Sequence, residues 1–315
     1  MGMIPFARLS KGDMKLGAHL PLADLGQGLP TAAELQIYVR AARDLGYDTV
    51  AANDHLIWNR PWLDGTTALA SVAAIAGEMT LLTSVTLPVL RHPAVVAKTL
   101  TSLALLANGP VVGGLGPGSS RRDYDAVGIP FEERWVRFDE ALPLVRTLVR
   151  GENAEPGSFY AGGLRLDPTP DPPPPIWFAS WGSDRRMAVM ARAADGWLAS
   201  AYNLTPDQYT QTRARLDAHL HQAGRTPNSF PDDIATTWLY ITEDHHEAEH
   251  ILVDVLAPTL NRDPDSLRHL PIGTAHYCAE VLAAYADAGT NEVLIWPVRD
   301  ALHQLARCAQ LTNSR

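Results

Sequence analysis

The run EVLIWPV, Glu292–Val298, decides how the rest of the chain is read. Beyond its first residue it is apolar without alternation, as a strand covered on both faces must be. VVGGL, Val111–Leu115, has the same character. Working outward from these two, Lys15–Pro21, Thr49–Ala52, Leu81–Leu87, Ile176–Ser180, Gly196–Ser200 and Ala235–Ile241 complete a set of strands, the last one being Glu292–Pro297. Between them lie longer amphipathic runs of helical period: Thr31–Leu45, Thr66–Glu78, Ala94–Leu106, Phe131–Arg150, Asp184–Ala194, Thr205–Ala223, His245–Leu256, Ala275–Ala288 and Ala301–Leu311. Thr31 followed by Glu34 forms a capping box that starts the first of these helices, and Gly46 stops it.

A β-then-α order repeated eight times, with no break of composition or charge, predicts an α/β chain with a single (β/α)8 TIM barrel over residues 14–315. An open doubly wound sheet is the alternative. Gly151–Pro175, with its run Pro172–Pro175, and Pro258–Pro271 interrupt the repeat and read as insertions in strand–helix loops, which in a barrel shape the mouth. Residues 1–13 lack the apolar block of a signal peptide and read as a leader or disordered extension.

The composition narrows the function. Of 315 residues, 46% are hydrophobic and 19% charged, enough apolar material for a core. The net charge of −9 repels phosphate backbones and argues against a nucleic-acid partner. No apolar run approaches the roughly 18 residues of a membrane span. Two cysteines, Cys278 and Cys308, are too few for a disulfide framework or a four-thiolate zinc site, and fit a cytoplasmic setting.

In a barrel the chemistry gathers where strands end. The second strand ends in Asn53-Asp54-His55, with Trp58 and Trp62 beyond it as pocket walls; Asp54-His55 reads as an acid–base pair, a metal pair or a buried polar pair that holds the strand end, and His55 is the candidate for proton transfer. The third ends in Thr83-Ser84-Val85-Thr86, followed by Arg91-His92-Pro93. The fourth opens into GGLGPGSS, Gly113–Ser120, whose glycines stand two apart around Pro117. That spacing is not a dinucleotide fingerprint but a turn that lets a planar or bulky group approach the backbone. The fifth gives Ser180-Trp181-Gly182-Ser183 before a helix, where free N–H groups and a hydroxyl make either an anion cradle or a plain cap, with Arg185 or Arg186 as charge partner. His246-Glu247-Ala248-Glu249-His250 matches the zinc-hydrolase pattern, but the surrounding EDHHEAEHI is charged throughout, as on a solvated outer helix. No G-x-S-x-G elbow is present, and neither cysteine has the surroundings of a reactive thiolate.

Five stretches carry a resemblance: GYDTVAANDHL (46–56), LLTSVTLPVLRHPAVVAKTLTSLALLANG (81–109), VVGGLGPGSSRRDYDAVGIPFEERWVRFDEAL (111–142), PPIWFASWGSDRRMAVMARAADGWLAS (174–200) and AYADAGTNEVLIWPV (284–298). Their order resembles the luciferase-like monooxygenase superfamily, barrel flavoenzymes that include bacterial luciferase and deazaflavin-dependent dehydrogenases and reductases. The resemblance implies an oxidoreductase that binds coenzyme F420, or alternatively FMN, at the barrel mouth and acts on a small organic substrate by hydride transfer or monooxygenation, often as a homodimer. It implies that Asp54 touches the coenzyme and that His55 is catalytic. It further implies that Ser84, Val85 and Thr86 form a bulge with a non-prolyl cis peptide behind the ring, with Gly116, Pro117, Gly118 and Ser119 beside it. Gly182 and Ser183 would hold the phosphate, and Trp181 would stand as a wall. Sugar-phosphate dehydrogenases of the family carry an acid where this chain has Ser119, which argues against that substrate. Two other readings compete: a flavin-binding accessory protein without turnover, and a zinc hydrolase through His246, Glu247 and His250.

Overall fold

The computed structural model describes residues 14–227, 230 and 233–312; the leader expected at residues 1–13 lies outside them. Its strands are β1 (Lys15–His19), β2 (Thr49–Ala52), β3 (Thr80–Thr83), β4 (Val111–Leu115), β5 (Ile176–Ser180), β6 (Gly196–Ser200), β7 (Asp233–Ile241), β8 (Ile272–Gly273) and β9 (Glu292–Pro297). Every pairing between them is parallel, from β1–β2 round to β6–β7, β7–β9 and β9–β1. Among the described residues eight strands therefore close a TIM barrel, and the two-residue β8 hangs on the far end of β7 through Tyr240 and Ile241.

Period-two geometry divides each strand between two cores. Inward, Ala51, Leu82, Val112, Trp177, Leu198, Ile234 and Leu294 fill the barrel axis. Their register explains why they meet: Ala51 pairs with Leu82, Leu82 with Val112, and Leu198 with Ile234. Outward, Val50, Leu81, Val111, Ile176, Trp197 and Val293 pack under the ring of helices. The axis is thus plugged below, so any cavity must open at the strands' C-terminal end.

Thr31 and Glu34 form the expected capping box on the helix Ala32–Asp44. Several elements differ from the sequence reading, and the first strand stops at His19 instead of running to Pro21. The third strand leaves its ladder at Thr83, where the Ser84–Val85 peptide is cis, and Thr86 returns as a single bridge to Leu115. Pro88–Arg91 then forms a helical turn before the helix Pro93–Leu106. The expected helix His245–Leu256 is α-helical only to His250; Ile251–Leu256 widens to a π-turn, and Pro258, which has no N–H for the carbonyl four residues back, follows in the helix Ala257–Leu260.

Candidate active site

Above the plug lies a cavity of about 530 Å³, within the size range of small-molecule sites, and all but two of the residues expected at the site line it. His55 and Asp54 enter from β2, Ser84 and Val85 from β3, Gly116–Ser119 from β4, and Trp181 and Ser183 from β5. Phe131, Arg134, Trp135, Tyr202, Thr236 and Trp296, none of them expected at the site, also line it. The two expected residues that do not line it are Thr86 and Gly182. Thr86 is buried and donates its hydroxyl to Asp54 Oδ2 at 3.0 Å. Gly182 has a φ of +86°, and its N–H donates to Ser180 Oγ at 3.2 Å.

Asp54 is a buried carboxylate with a dedicated counter-ion. Arg91 donates through Nε at 2.5 Å and through Nη2 at 2.6 Å, a two-pronged pair of the kind a buried charge requires. The same guanidinium reaches Asp64, and its proton affinity rises through its hydrogen bonds to Asp54, burial opposing. What Asp54 offers the cavity is therefore a neutralised edge.

His55 takes a different partner. Its Nδ1 stands 3.0 Å from Asp123 Oδ2, and its ring lies between Trp58, 4.2 Å away, and Trp62, 5.0 Å away. Those two tryptophans, expected as pocket walls, back His55 instead of facing the cavity. Trp62 also donates to Asn53 Oδ1 at 3.2 Å.

On the floor, the Gly116 loop lies so close to the cis bulge that a Cβ added at Gly116 would meet Val85 Cγ2 at 2.9 Å. Beneath Ser84, the wholly buried His19 sits with Nε2 at 3.1 Å from Ser84 Oγ and 3.2 Å from Thr236 Oγ1, and burial pushes its pKa down to about 3. This neutral histidine stacks on Trp296 at 4.3 Å, and Trp296 stacks in turn on Trp238 at 4.0 Å. His19 is the last residue of β1, but the sequence reading carries that strand on to Pro21, so no strand-end pattern marks it.

At the other end of the cavity Ser183 is the N-cap of the helix Asp184–Ala193, yet its side chain makes no capping bond. The hydroxyl and the first N–H groups of that helix thus remain for a ligand, which favours the anion cradle over the plain cap. Arg186 lines this end, 2.5 Å from Asp139 and stacked on Trp135, whereas Arg185 points out to solvent. Arg134 adds a second cation, stacked 3.9 Å over Phe131, with no carboxylate in ion-pair contact among the described residues. A flat floor, a close-packed glycine loop and an anion cradle in one cavity fit a tricyclic coenzyme with a phosphate tail.

His246, Glu247 and His250 form no such site. Glu247 accepts from Tyr240 at 3.0 Å and from Thr242, while His250 Nδ1 pairs with Asp254 at 2.9 Å. Among the described residues no group of three metal-ligating side chains assembles anywhere, and no helix is long and apolar enough to cross a membrane.

Residues 14–269 match the model of the family described as luciferase-like monooxygenase. An F420-dependent hydroxymycolic acid dehydrogenase of Mycobacterium tuberculosis is 33% identical over 207 residues, 62% of this chain and 56% of that protein. An F420-dependent glucose-6-phosphate dehydrogenase of Beutenbergia cavernae is 36% identical over 193 residues, 57% of this chain and 55% of that one. The chain thus spans little more than half the length of these curated relatives. Among solved structures, an F420-dependent secondary alcohol dehydrogenase in complex with an F420–acetone adduct superposes with a TM-score of 0.82 over 95% of this chain and 98% of that one, at 17% identity. At that identity the likeness concerns the fold.

Proposed function

This chain belongs to the luciferase-like monooxygenase family, and from that premise we propose that it is a dehydrogenase that uses coenzyme F420 to oxidise a neutral, hydroxyl-bearing organic substrate or to reduce the corresponding carbonyl. One observation carries the reading: the uncapped Ser183 hydroxyl at a helix N-terminus shares a single cavity with His55 and the Ser84–Val85 floor. Three relatives above 30% identity bear F420 in their names, which favours the deazaflavin over FMN.

When bound, the deazaflavin supplies hydride transfer. The chain's own residues do the rest. Ser183 and the N–H groups beside it would hold the phosphate, with Arg134 and Arg186 balancing negative charge at that end. Gly116–Ser119 and Val85 would flank the ring, and Trp181 would stand at the rim. His55 would take the hydroxyl proton at Nε2, or return it in the reverse direction. The substrate's neutrality follows from where the cations stand. Both lining arginines follow β4 and β5, whereas the opposite side, with Asn53, His55, Thr236 and Trp296, offers no arginine or lysine to a phosphate among the described residues.

The test is bleaching of oxidised F420 absorbance by the purified chain, with a panel of neutral secondary alcohols beside glucose 6-phosphate. The proposal expects turnover with alcohols; bleaching by the sugar phosphate alone, or by nothing, refutes it. We also expect a homodimer in a reducing cytoplasm, the first of which sedimentation velocity checks.

A further inference from the structure

We propose that Asp123 is a positioning residue that sets the tautomer of His55, keeping the proton on Nδ1 so that Nε2 is the accepting atom turned to the cavity. This rests on the reading of His55 as the group that handles the proton.

Asp123 stands in the short helix Arg121–Ala126, 68 residues from its partner in sequence, and does not line the cavity. Its carboxylate is 1% exposed and has three polar partners. Oδ1 accepts from the Leu56 N–H at 3.0 Å and from the Ile57 N–H at 2.6 Å; Oδ2 faces His55 Nδ1 at 3.0 Å. The two backbone bonds fix the carboxylate's orientation and leave Oδ2 for the imidazole.

An ionised carboxylate only accepts, so Nδ1 must donate. A neutral imidazole has one N–H, and the lone pair then falls on Nε2. The ring is held against a flip by Trp58 on one side and Trp62 on another. Asp54, the sequence neighbour of His55, cannot serve, because Arg91 and Thr86 already occupy its oxygens. Pinning Leu56 and Ile57 would need Oδ1 alone; the pairing of Oδ2 with Nδ1 is what a loop anchor does not require.

The substitution Asp123→Asn separates the two roles. Its carbonyl oxygen can still accept from Leu56 and Ile57, which places the amide NH2 against Nδ1 and forces the proton to Nε2. The readout is the 15N spectrum of the His55 ring in the coenzyme-free full chain. The wild type is expected to be protonated on Nδ1 and Asp123→Asn on Nε2, with Asp125→Asn, at an exposed neighbour, matching the wild type. With coenzyme and alcohol, kcat of Asp123→Asn should fall by about 100-fold or more while its coenzyme affinity holds within about twofold. A wild-type ring protonated on Nε2, or the same nitrogen pattern in both proteins, overturns the proposal, and the wild-type spectrum decides even if the variant fails to fold. A tautomer switch in a protein that takes up no F420 refutes the proposed function and leaves the role of Asp123 standing.

Discussion

Replacing Arg91 by Met tests how the site keeps an acid beside a redox ligand. Arg91 holds Asp54 through two hydrogen bonds of 2.5 and 2.6 Å, and the Asp54 side chain is 2% exposed. Methionine fills the space of the stem but leaves that carboxylate with only the Thr86 hydroxyl. Removing one partner of a buried pair costs about 3–5 kcal/mol, and the lower end applies here because water reaches the guanidinium, which is 21% exposed. At about 2 °C per kcal/mol for a chain of this size, the thermal midpoint should drop by about 6 °C. Arg121→Met, at a pair with side chains 57% and 69% exposed, is the control and should leave the thermal midpoint nearly unchanged. Adding Asp54→Asn to Arg91→Met removes the orphaned charge and should recover part of the loss. Urea and thermal unfolding followed by circular dichroism read all four proteins. If Arg91→Met costs no more than Arg121→Met, or the double variant is no better than Arg91→Met, Asp54 is solvated and the reasoning fails.

Other outcomes follow from single groups. Ser183→Asp keeps a good N-cap, so the melting temperature should hold or rise, while coenzyme affinity falls by about tenfold or more from repulsion of the phosphate; unchanged affinity in a fluorescence titration would put the phosphate elsewhere. Burial pushes the Cys278 and Cys308 thiols up to about 12, so a disulfide thiol reagent at pH 8 should modify neither until urea is added, and fast labelling of the native protein would contradict their burial. Asp64 sits at about 2 against an ordinary 3.8, because hydrogen bonds from Thr67 and Arg91 outweigh a burial effect that pushes upward. A depressed carboxylate stabilises the fold above its unfolded pKa and loses that contribution as pH falls from about 4 through about 2. The urea midpoint of the wild type should therefore drop more steeply across that window than that of Asp64→Asn, and parallel curves would count against the ion pair.

Strands were legible where an apolar run is bounded by residues that cannot continue it. β4, β5, β6 and β9 begin and end where the sequence reading puts them; β4 lies between Pro110 and Gly116, β5 starts after Pro175 and β6 after Asp195. The third strand was not, because LLTSVTL reads the same whether the backbone stays extended or turns out of the ladder after Thr83. The π-turn at Ile251–Leu256 was hidden for a similar reason, since apolar spacing serves either helix type. At the site, loop residues such as Gly116–Ser119 could be read because they lie at the ends of recognisable strands. His19, Asp123, Arg134 and Trp296 could not, since each reaches its place through packing between elements far apart in sequence. Asp54 shows the limit most plainly: its neighbour His55 suggested a pair, and the fold gives each a separate partner.

The proposed function requires that this barrel hold a deazaflavin with its phosphate at Ser183. A paired titration of the purified chain with F420 and with FMN, read by coenzyme fluorescence, addresses it directly. Saturable binding of F420 well ahead of FMN is expected; tighter binding of FMN, or uptake of neither, would refute the assignment.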